Sequence, residues 1–216
     1  MWAVIPVKRI SQAKQRLSQL LSPEERRDFF SAMLEDVLGM MVKIDFFEKI
    51  ILATNCPHAI AIAGRHGITH FETGPDGGLN LAAGEAVNHL LENGISDMFL
   101  IPADIPLINE EEINSVIKSH PSAPSLSIIP SKNKLGTNCV LLSPPSRMPL
   151  KFGPDSYFRH LEIAQTNGLQ VNSMELKGFG HDIDEPKDLF ELLKIEGDTR
   201  CQKYLQELKK LKKFTH

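Results

Sequence analysis

Near its N-terminus the chain reads WAVIPVKRISQAKQRL (residues 2–17), an apolar run that passes directly into a basic segment. The run predicts a buried strand, and the segment after it predicts a loop carrying Lys8, Lys14 and Arg16 ahead of a helix. Ligands of open α/β sheets bind at the carboxyl ends of the strands, and lysine and arginine both suit phosphate oxygens. The stretch therefore predicts a phosphate-binding loop on an α/β fold, with a solvated basic turn as the alternative.

The rest of the chain continues the alternation of strand and helix. Short apolar runs rich in β-branched residues predict strands over 3–7, 49–54, 68–71, 98–102, 126–130, 138–142 and 169–174. Helical patterns lie over 23–42, 58–66, 79–92, 110–119 and 156–166, and Ser22 with Glu25 forms a predicted capping box ahead of the first. Strands spaced by helices of this length indicate βαβ units and a mostly parallel sheet.

The order loosens after residue 120, where the strands over 126–130 and 138–142 are predicted to form a hairpin or to return over the sheet edge. No repeat or linker divides the chain, so residues 1–216 are predicted to form a single domain. Residues 199–213 have the pattern of a basic amphipathic helix, which packs on the domain or on a second subunit. A helix that touches a membrane or another partner is the alternative.

Composition excludes several classes of protein. The net charge of −3 over 216 residues gives no reason to expect a nucleic-acid partner. Cys56, Cys139 and Cys201 are scattered without CxxC spacing, which indicates reduced thiols in a cytoplasmic protein. No apolar run approaches the roughly 20 residues of a membrane helix, and the first run is too short for a signal peptide. We therefore expect a soluble, cytoplasmic protein.

Three aspartates are candidates for a cation site. Asp104 directly follows an apolar run, so we expect it at the carboxyl edge of the sheet. Asp182 and Asp184 would share one face of an extended segment, with Ile183 on the other. Carboxylates beside a basic phosphate loop favour Mg²⁺, which takes one or two carboxylates together with phosphate oxygens. For Asp184 the alternative is that it caps a helix whose first turn holds Pro186.

Two glycine-containing segments resemble anion-binding loops. GPDGGLN (74–80) opens a helix, whose free N–H groups could face an anion or a purine. KFGPDSYFRH (151–160) also leads into a helix. Ser156 either caps this helix or binds a phosphate at its start. Thr137 offers a further hydroxyl at a strand start. The chain contains neither a P-loop nor GxGxxG, and no Ser-His-Asp or Cys-His pattern is readable.

These motifs together carry a family resemblance. After the strand and basic loop come GGLN (77–80), PADIPL (102–107), GTN (136–138), FGPDSYFRH (152–160) and HDIDEPKDL (181–189). In this order they resemble the 2-phospho-L-lactate guanylyltransferase family, over about residues 1–193. The resemblance implies a Rossmann-like, three-layer α/β/α fold with a mixed, mostly parallel sheet, of the nucleotide-diphospho-sugar transferase type.

The resemblance also implies roles for individual residues, with Lys8, Lys14, Arg16 and Asp104 as the catalytic set. The implied partners are the triphosphate of GTP (Lys8, Lys14, Arg16), the guanosine (Gly78, Asn80), Mg²⁺ (Asp104, Asp182, Asp184) and the phosphorylated acid (Thr137, Gly153, Ser156).

The implied reaction transfers GMP from GTP to 2-phospho-L-lactate and releases pyrophosphate, a step in making the deazaflavin coenzyme F-420. A phosphate monoester is largely a dianion at neutral pH, with a second pKa of about 6, so this nucleophile needs no general base. Phosphoenolpyruvate or another phosphorylated three-carbon acid is the alternative acceptor, and a non-catalytic nucleotide-binding regulator is the alternative class. The residues alone do not select guanine over other bases, and the C-terminal helix and the family favour a homodimer.

Overall fold

Seven strands form one sheet in the computed structural model, which describes residues 1–8, 10, 14–74 and 78–212. They are β1 (Trp2–Pro6), β2 (Lys49–Ala53), β3 (Thr69–Phe71), β4 (Met98–Leu100), β5 (Ser125–Pro130), β6 (Thr137–Ser143) and β7 (Gln170–Ser173). The spatial order is β3-β2-β1-β4-β6-β5-β7, and β6 alone among these seven runs antiparallel to its neighbours. The predicted mixed, mostly parallel sheet is confirmed, with strand ends shifted by at most two residues.

The helices lie where their periodicity and caps predict them. They are α1 (Pro23–Met41), α2 (Pro57–Arg65), α3 (Gly78–Glu92), α4 (Glu110–Lys118), α5 (Ser156–Thr166), α6 (Lys177–Gly180), α7 (Pro186–Lys194) and α8 (Arg200–Lys212). The capping box at α1 is confirmed, since Ser22 Oγ accepts the Glu25 N–H at 3.2 Å and Glu25 Oε2 accepts the Ser22 N–H at 2.7 Å. The short helix α6 was not predicted.

Apolar side chains cover both faces of the sheet. Successive residues of a strand point to opposite faces, so Ile5 of β1 belongs to a cluster with α1, α2, α4, α7 and α8. Its neighbour Val4 belongs to a second cluster, with α3 and α5. These two clusters make the predicted α/β/α layers.

Strands β5 and β6 are antiparallel neighbours joined by residues 131–136, so the hairpin alternative is the correct one. Ile129 pairs with Cys139 but Pro130 pairs with Thr137, which leaves Asn138 as an extra residue in β6. Because β6 is antiparallel, its first residues lie at the edge where the parallel strands end. Ligands bind at this edge in open α/β sheets.

Helix α8 packs on α1. Both oxygens of Asp36 in α1 accept backbone N–H groups at the start of α8, from Arg200 at 2.8 Å and Cys201 at 2.9 Å. The Tyr204 ring stacks on Phe29 with 6.4 Å between centroids. The apolar face of α8 is thus used inside this chain, and Lys213, the last residue of the predicted helix, lies outside the described residues. Within those described residues, every helix is too short or too polar to span a membrane.

Candidate active site

The Lys14 ammonium joins the basic loop to the aspartates at the carboxyl edge of the sheet. Lys14 has a left-handed backbone, with φ 55°, and its side chain is only 5% exposed. Its Nζ lies 2.6 Å from Asp104 Oδ2 and 3.7 Å from Asp184 Oδ1. Residues 9 and 11–13 of the predicted loop lie outside the described residues. One nearly buried cation is therefore shared by two of the predicted metal ligands.

The segment that carries Asp182 and Asp184 is attached to the strand end that carries Asp104. The Ile183 N–H donates to the Asp104 carbonyl oxygen at 3.0 Å, and the Ile183 side chain is buried. The neighbouring carboxylates contact polar groups instead: Asp184 Oδ2 lies 2.7 Å from Arg16 Nη1. The predicted alternation of side chains along this segment is confirmed.

Asn138, the extra residue of β6, holds Asp182 in place. Its Nδ2 donates to Asp182 Oδ1 at 3.0 Å and to the Phe179 carbonyl oxygen at 2.7 Å. Burial raises the pKa of the Asp182 carboxyl, and repulsion from Asp104 adds to the rise, while Asn138 and the Lys14 charge oppose it. The asparagine of GTN had no predicted role, although its place at a strand start on the ligand edge was a usable signal.

The helix after the aspartate pair is not capped by Asp184, so that alternative is wrong. Asp188 Oδ2 accepts the N–H groups of Asp184 at 2.9 Å and of Glu185 at 2.6 Å. Glu185 occupies the cap position of α7, and the Asp188 carboxylate completes a capping box by accepting its N–H group. As a result, the Asp184 carboxylate is available to Arg16 and Lys14.

The carboxylates at this edge fit Mg²⁺ by their chemistry, because they are hard oxygen donors and one or two suffice beside phosphate. Their present arrangement is built around the Lys14 ammonium. Among the described residues, no group of three or more His, Cys, Asp or Glu side chains is placed to hold a metal ion. Magnesium binding therefore stays a prediction that requires Lys14 to turn toward phosphate.

Lys8 and the glycine-rich segment meet at the start of α3. Gly78, the first residue of α3, has φ 72°, a conformation that favours glycine. A Cβ built on it would lie 4.0 Å from Lys8 Nζ, so the Lys8 ammonium stands beside the N-terminus of the helix. Both features favour an anion at this point. Residues 75–77 of the predicted segment lie outside the described residues.

Asn80 connects this helix to the second glycine-containing segment. Its Oδ1 accepts the Phe152 N–H at 2.6 Å, and its Nδ2 donates to the Phe152 carbonyl oxygen at 3.1 Å. The amide is thus engaged on both sides by one backbone unit. The predicted contact with guanosine is untested, and the structure assigns Asn80 the role of joining the two segments.

The three predicted acid-binding residues come together through α5. Gly153 has φ 123°, a backbone conformation that is strained for any residue with a side chain. Its carbonyl oxygen accepts the Ser156 N–H at 3.1 Å. Ser156 Oγ donates to Thr137 Oγ1 at 3.2 Å, and Thr137 Oγ1 lies 3.0 Å from His160 Nδ1. Ser156 is the first helical residue and does not cap α5, because Asp155 occupies the cap position. His160 was missed, since its spacing suggested no ligand.

A cavity of about 390 Å³ opens beside the aspartate pair, lined by Arg16, His181, Asp182 and Asp184 among others. Its size is typical of sites for small ligands. The site as a whole thus sets lysine and arginine cations against carboxylates, with hydroxyl groups at the neighbouring strand start. Such a site can hold a polyphosphate and a second anion.

Comparison with known proteins agrees with this geometry. A family model described as "Guanylyl transferase CofC like" matches residues 1–216. The phosphoenolpyruvate guanylyltransferase of Sphaerobacter thermophilus is 33% identical over 88% of this chain and 91% of that protein. The 2-phospho-L-lactate guanylyltransferase of Methanothermobacter thermautotrophicus is 31% identical over 96% of this chain and 90% of that protein.

Solved structures show the same fold at low identity. A putative nucleotide-diphospho-sugar transferase from Desulfovibrio desulfuricans G20 superposes with a TM-score of 0.76 at 15% identity, covering 97% of this chain and 95% of that one. A nucleotidyl transferase from Methanothermobacter thermautotroptrophicus has a TM-score of 0.66 at 11% identity, covering 95% of this chain and 98% of that one. The predicted fold type is confirmed.

Proposed function

This chain belongs to the CofC-like guanylyl transferase family, and we propose that it transfers GMP from GTP to 2-phospho-L-lactate, releasing pyrophosphate. The family and the nucleotidyltransferase fold make it an enzyme that transfers a nucleoside monophosphate group. They favour catalysis over the alternative of a nucleotide-binding regulator. Phosphoenolpyruvate is the second candidate acceptor, because relatives of similar identity carry either name.

The observation that carries the proposal is the Lys14 ammonium held between Asp104 and Asp184, with Arg16 on the far side of Asp184. Joining two phosphorylated anions requires cations for the phosphates and carboxylates that can accept a cation. Both sets lie within one contact network at the carboxyl ends of β1 and β4. Coulomb attraction in a partly buried site is several times stronger than in water, so this network can stabilise transferred charge.

In the proposed complex Lys8, Lys14 and Arg16 bind the triphosphate. Lys8 stands at the N-terminus of α3, where backbone N–H groups also attract phosphate oxygens. Gly78 leaves room there for close approach of a ligand to the backbone, beside the guanosine. Release of Lys14 from Asp104 toward phosphate would free the carboxylates. Asp104, Asp182 and Asp184 would then hold Mg²⁺, and this ion would neutralise part of the phosphate charge.

The chemical step needs alignment more than acid–base catalysis. A phosphate oxygen of the acid attacks the α-phosphorus of GTP, the bond to the β-phosphate oxygen breaks, and pyrophosphate leaves with that electron pair. The attacking phosphate is already a dianion, so no side chain has to remove a proton. Thr137, Gly153 and Ser156 would hold the acid at the neighbouring strand start. Lys8, Lys14 and Arg16 would stabilise the departing charge.

Pyrophosphate release tests the proposal, with GTP, Mg²⁺ and either 2-phospho-L-lactate or phosphoenolpyruvate. We expect release with GTP and little with ATP or CTP. The Asp104→Asn variant should lose turnover, whereas Asp198→Asn should keep it, because Asp198 is exposed and pairs only with Lys203 among the described residues. Release with phosphoenolpyruvate alone would establish the second acceptor. Retained GTP binding without release for any acid would establish a regulator instead.

Guanine selection, the homodimer and the cytoplasmic location are parts of the proposal that rest on the sequence. The nucleotide series in the same assay tests the base. Light scattering tests the dimer, and fractionation of cells tests the location.

A further inference from the structure

His160 lies at the centre of a buried hydrogen-bond chain that the chemical step does not use. Its side chain is fully buried in α5. Nε2 lies 2.8 Å from the Lys151 backbone nitrogen, and Nδ1 lies 3.0 Å from Thr137 Oγ1. The imidazole therefore connects the segment before α5 to the first residue of β6.

These contacts determine which ring nitrogen carries the proton. A backbone N–H can only donate, so Nε2 must accept from Lys151. Burial lowers the pKa of His160 to about 4, so the ring is neutral at physiological pH. A neutral imidazole whose Nε2 accepts has its hydrogen on Nδ1, and this hydrogen can only be donated to Thr137 Oγ1.

The direction of that bond sets the polarity of the hydroxyl pair. Thr137 Oγ1 accepts from His160 and also from Ser156 Oγ, at 3.2 Å, so both of its lone pairs are occupied. In the described part of the chain no acceptor receives the Thr137 hydroxyl hydrogen. If Thr137 instead donated to Ser156 Oγ, the Ser156 hydroxyl hydrogen would be the one without an acceptor. The pair offers one hydrogen-bond donor in either case.

We propose that His160 is a positioning residue that sets the Thr137–Ser156 hydroxyl pair as a donor toward an anionic oxygen of the acid substrate. The proposal rests on the proposed function, which places the acid at these hydroxyls. Phosphate and carboxylate oxygens only accept hydrogen bonds, so a donor directed at them by the fold favours an anion over a neutral acceptor. The protonated Nδ1 supplies this direction without touching the substrate.

Two substitutions separate positioning from simple packing. In His160→Asn the amide nitrogen can take the place of Nδ1 and keep the donor to Thr137, whereas in His160→Gln the amide reaches the place of Nε2 and loses that donor. We expect His160→Gln to raise the KM for the acid about tenfold, the effect of one lost hydrogen bond, with the KM for GTP unchanged. His160→Asn should remain within about threefold of wild type for both substrates.

A double substitution tests the coupling through Thr137. Thr137→Val alone and Thr137→Val with His160→Gln should raise the KM for the acid equally, because without the Thr137 hydroxyl His160 has no group to orient. If the double variant raised the KM for the acid by the product of the two single effects, the proposal would be overturned. A rise in the KM for GTP as well as for the acid in the single His160 variants would also overturn it.

A spectroscopic measurement keeps the inference testable if the variants do not fold or if the enzyme uses a different acid as its acceptor substrate. Long-range ¹H–¹⁵N correlation on histidine-labelled wild-type protein distinguishes the two neutral tautomers without substrate. The expected pattern is hydrogen on Nδ1 of His160, and hydrogen on Nε2 would overturn the inference. Absence of pyrophosphate release from wild type with every acid would refute the proposed function instead. The tautomer of His160 is measured without substrate, so its result does not depend on that assay.

Discussion

Replacing Lys14 by methionine removes the ammonium from the centre of the site while keeping most of the side-chain volume. The pair it breaks has a 2.6 Å contact between Lys14 Nζ and Asp104 Oδ2, with side-chain exposures of 5% and 28%. Breaking a fully buried pair costs about 3–5 kcal/mol, and breaking an exposed one costs at most about 1 kcal/mol. Water can reach the abandoned Asp104 carboxylate, so we expect an intermediate loss of about 2 kcal/mol.

The chain contains a closely matched control in Lys134→Met. Lys134 also has a left-handed backbone, with φ 59° against 55° for Lys14. Its Nζ also lies 2.6 Å from a carboxylate oxygen, that of Glu175, but the two side chains are 51% and 69% exposed. The two substitutions therefore differ in burial and in the longer 3.7 Å contact that Lys14 also makes with Asp184.

The assay is thermal unfolding of both variants at pH 7.5, without nucleotide. A protein of this length shifts its Tm by about 2–4 °C per kcal/mol, so Lys14→Met should lower the Tm by about 4–8 °C. Lys134→Met should leave it within experimental error. Equal shifts in the two variants would refute the reasoning, because burial would then not decide the strength of the Lys14 pair.

Three further outcomes are expected. Mg²⁺ should raise the Tm of the Lys14→Met variant more than that of wild type, since Asp104 and Asp184 then lack their shared ammonium, and equal shifts would argue against metal binding there. Gly178→Ala should lower the free energy of unfolding in urea by about 1–3 kcal/mol, because its Cβ would overlap with the Leu107 carbonyl oxygen. Gly64→Ala, where a Cβ meets nothing within 4 Å, should not be destabilising, and a similar loss in both would contradict the steric explanation. Wild type should lose stability as pH falls from 6.5 toward about 4, because only the unfolded state protonates His160 there. His160→Asn should flatten that slope by up to about 1.4 kcal/mol per pH unit in urea titrations, and an unchanged slope would mean that His160 is not buried and neutral.

Local sequence predicted the strands and helices well because each depends on neighbouring residues. The run before Lys8 has the composition of a buried strand, and Ser22 with Glu25 caps α1 as expected. Helix α6 spans only Lys177–Gly180, too few residues to show a period. The sequence left open whether Asp184 caps α7, and only the backbone geometry shows that Glu185 occupies the cap position and that Asp188 completes the capping box.

The candidate site was predicted as a set of residues but not as a set of contacts. Charge and strand position identified Lys14, Arg16 and the three aspartates. That Lys14 contacts Asp104, 90 positions away, depends on how the loop crosses the edge of the sheet. Asn138 and His160 were passed over because an amide and a histidine acquire their roles only from the groups that surround them.

Local patterns along the chain were enough to establish the order of elements, the α/β class and the edge of the sheet where polar side chains lie. Periodicity and capping act over a few residues, so they are readable without the fold. The burial of Lys14 between two carboxylates and the hydrogen bond from His160 to Thr137 arise only in the folded chain. Both features depend on burial and on residues distant in sequence, because burial sets the strength of a charge pair and the surrounding groups set the direction of a hydrogen bond.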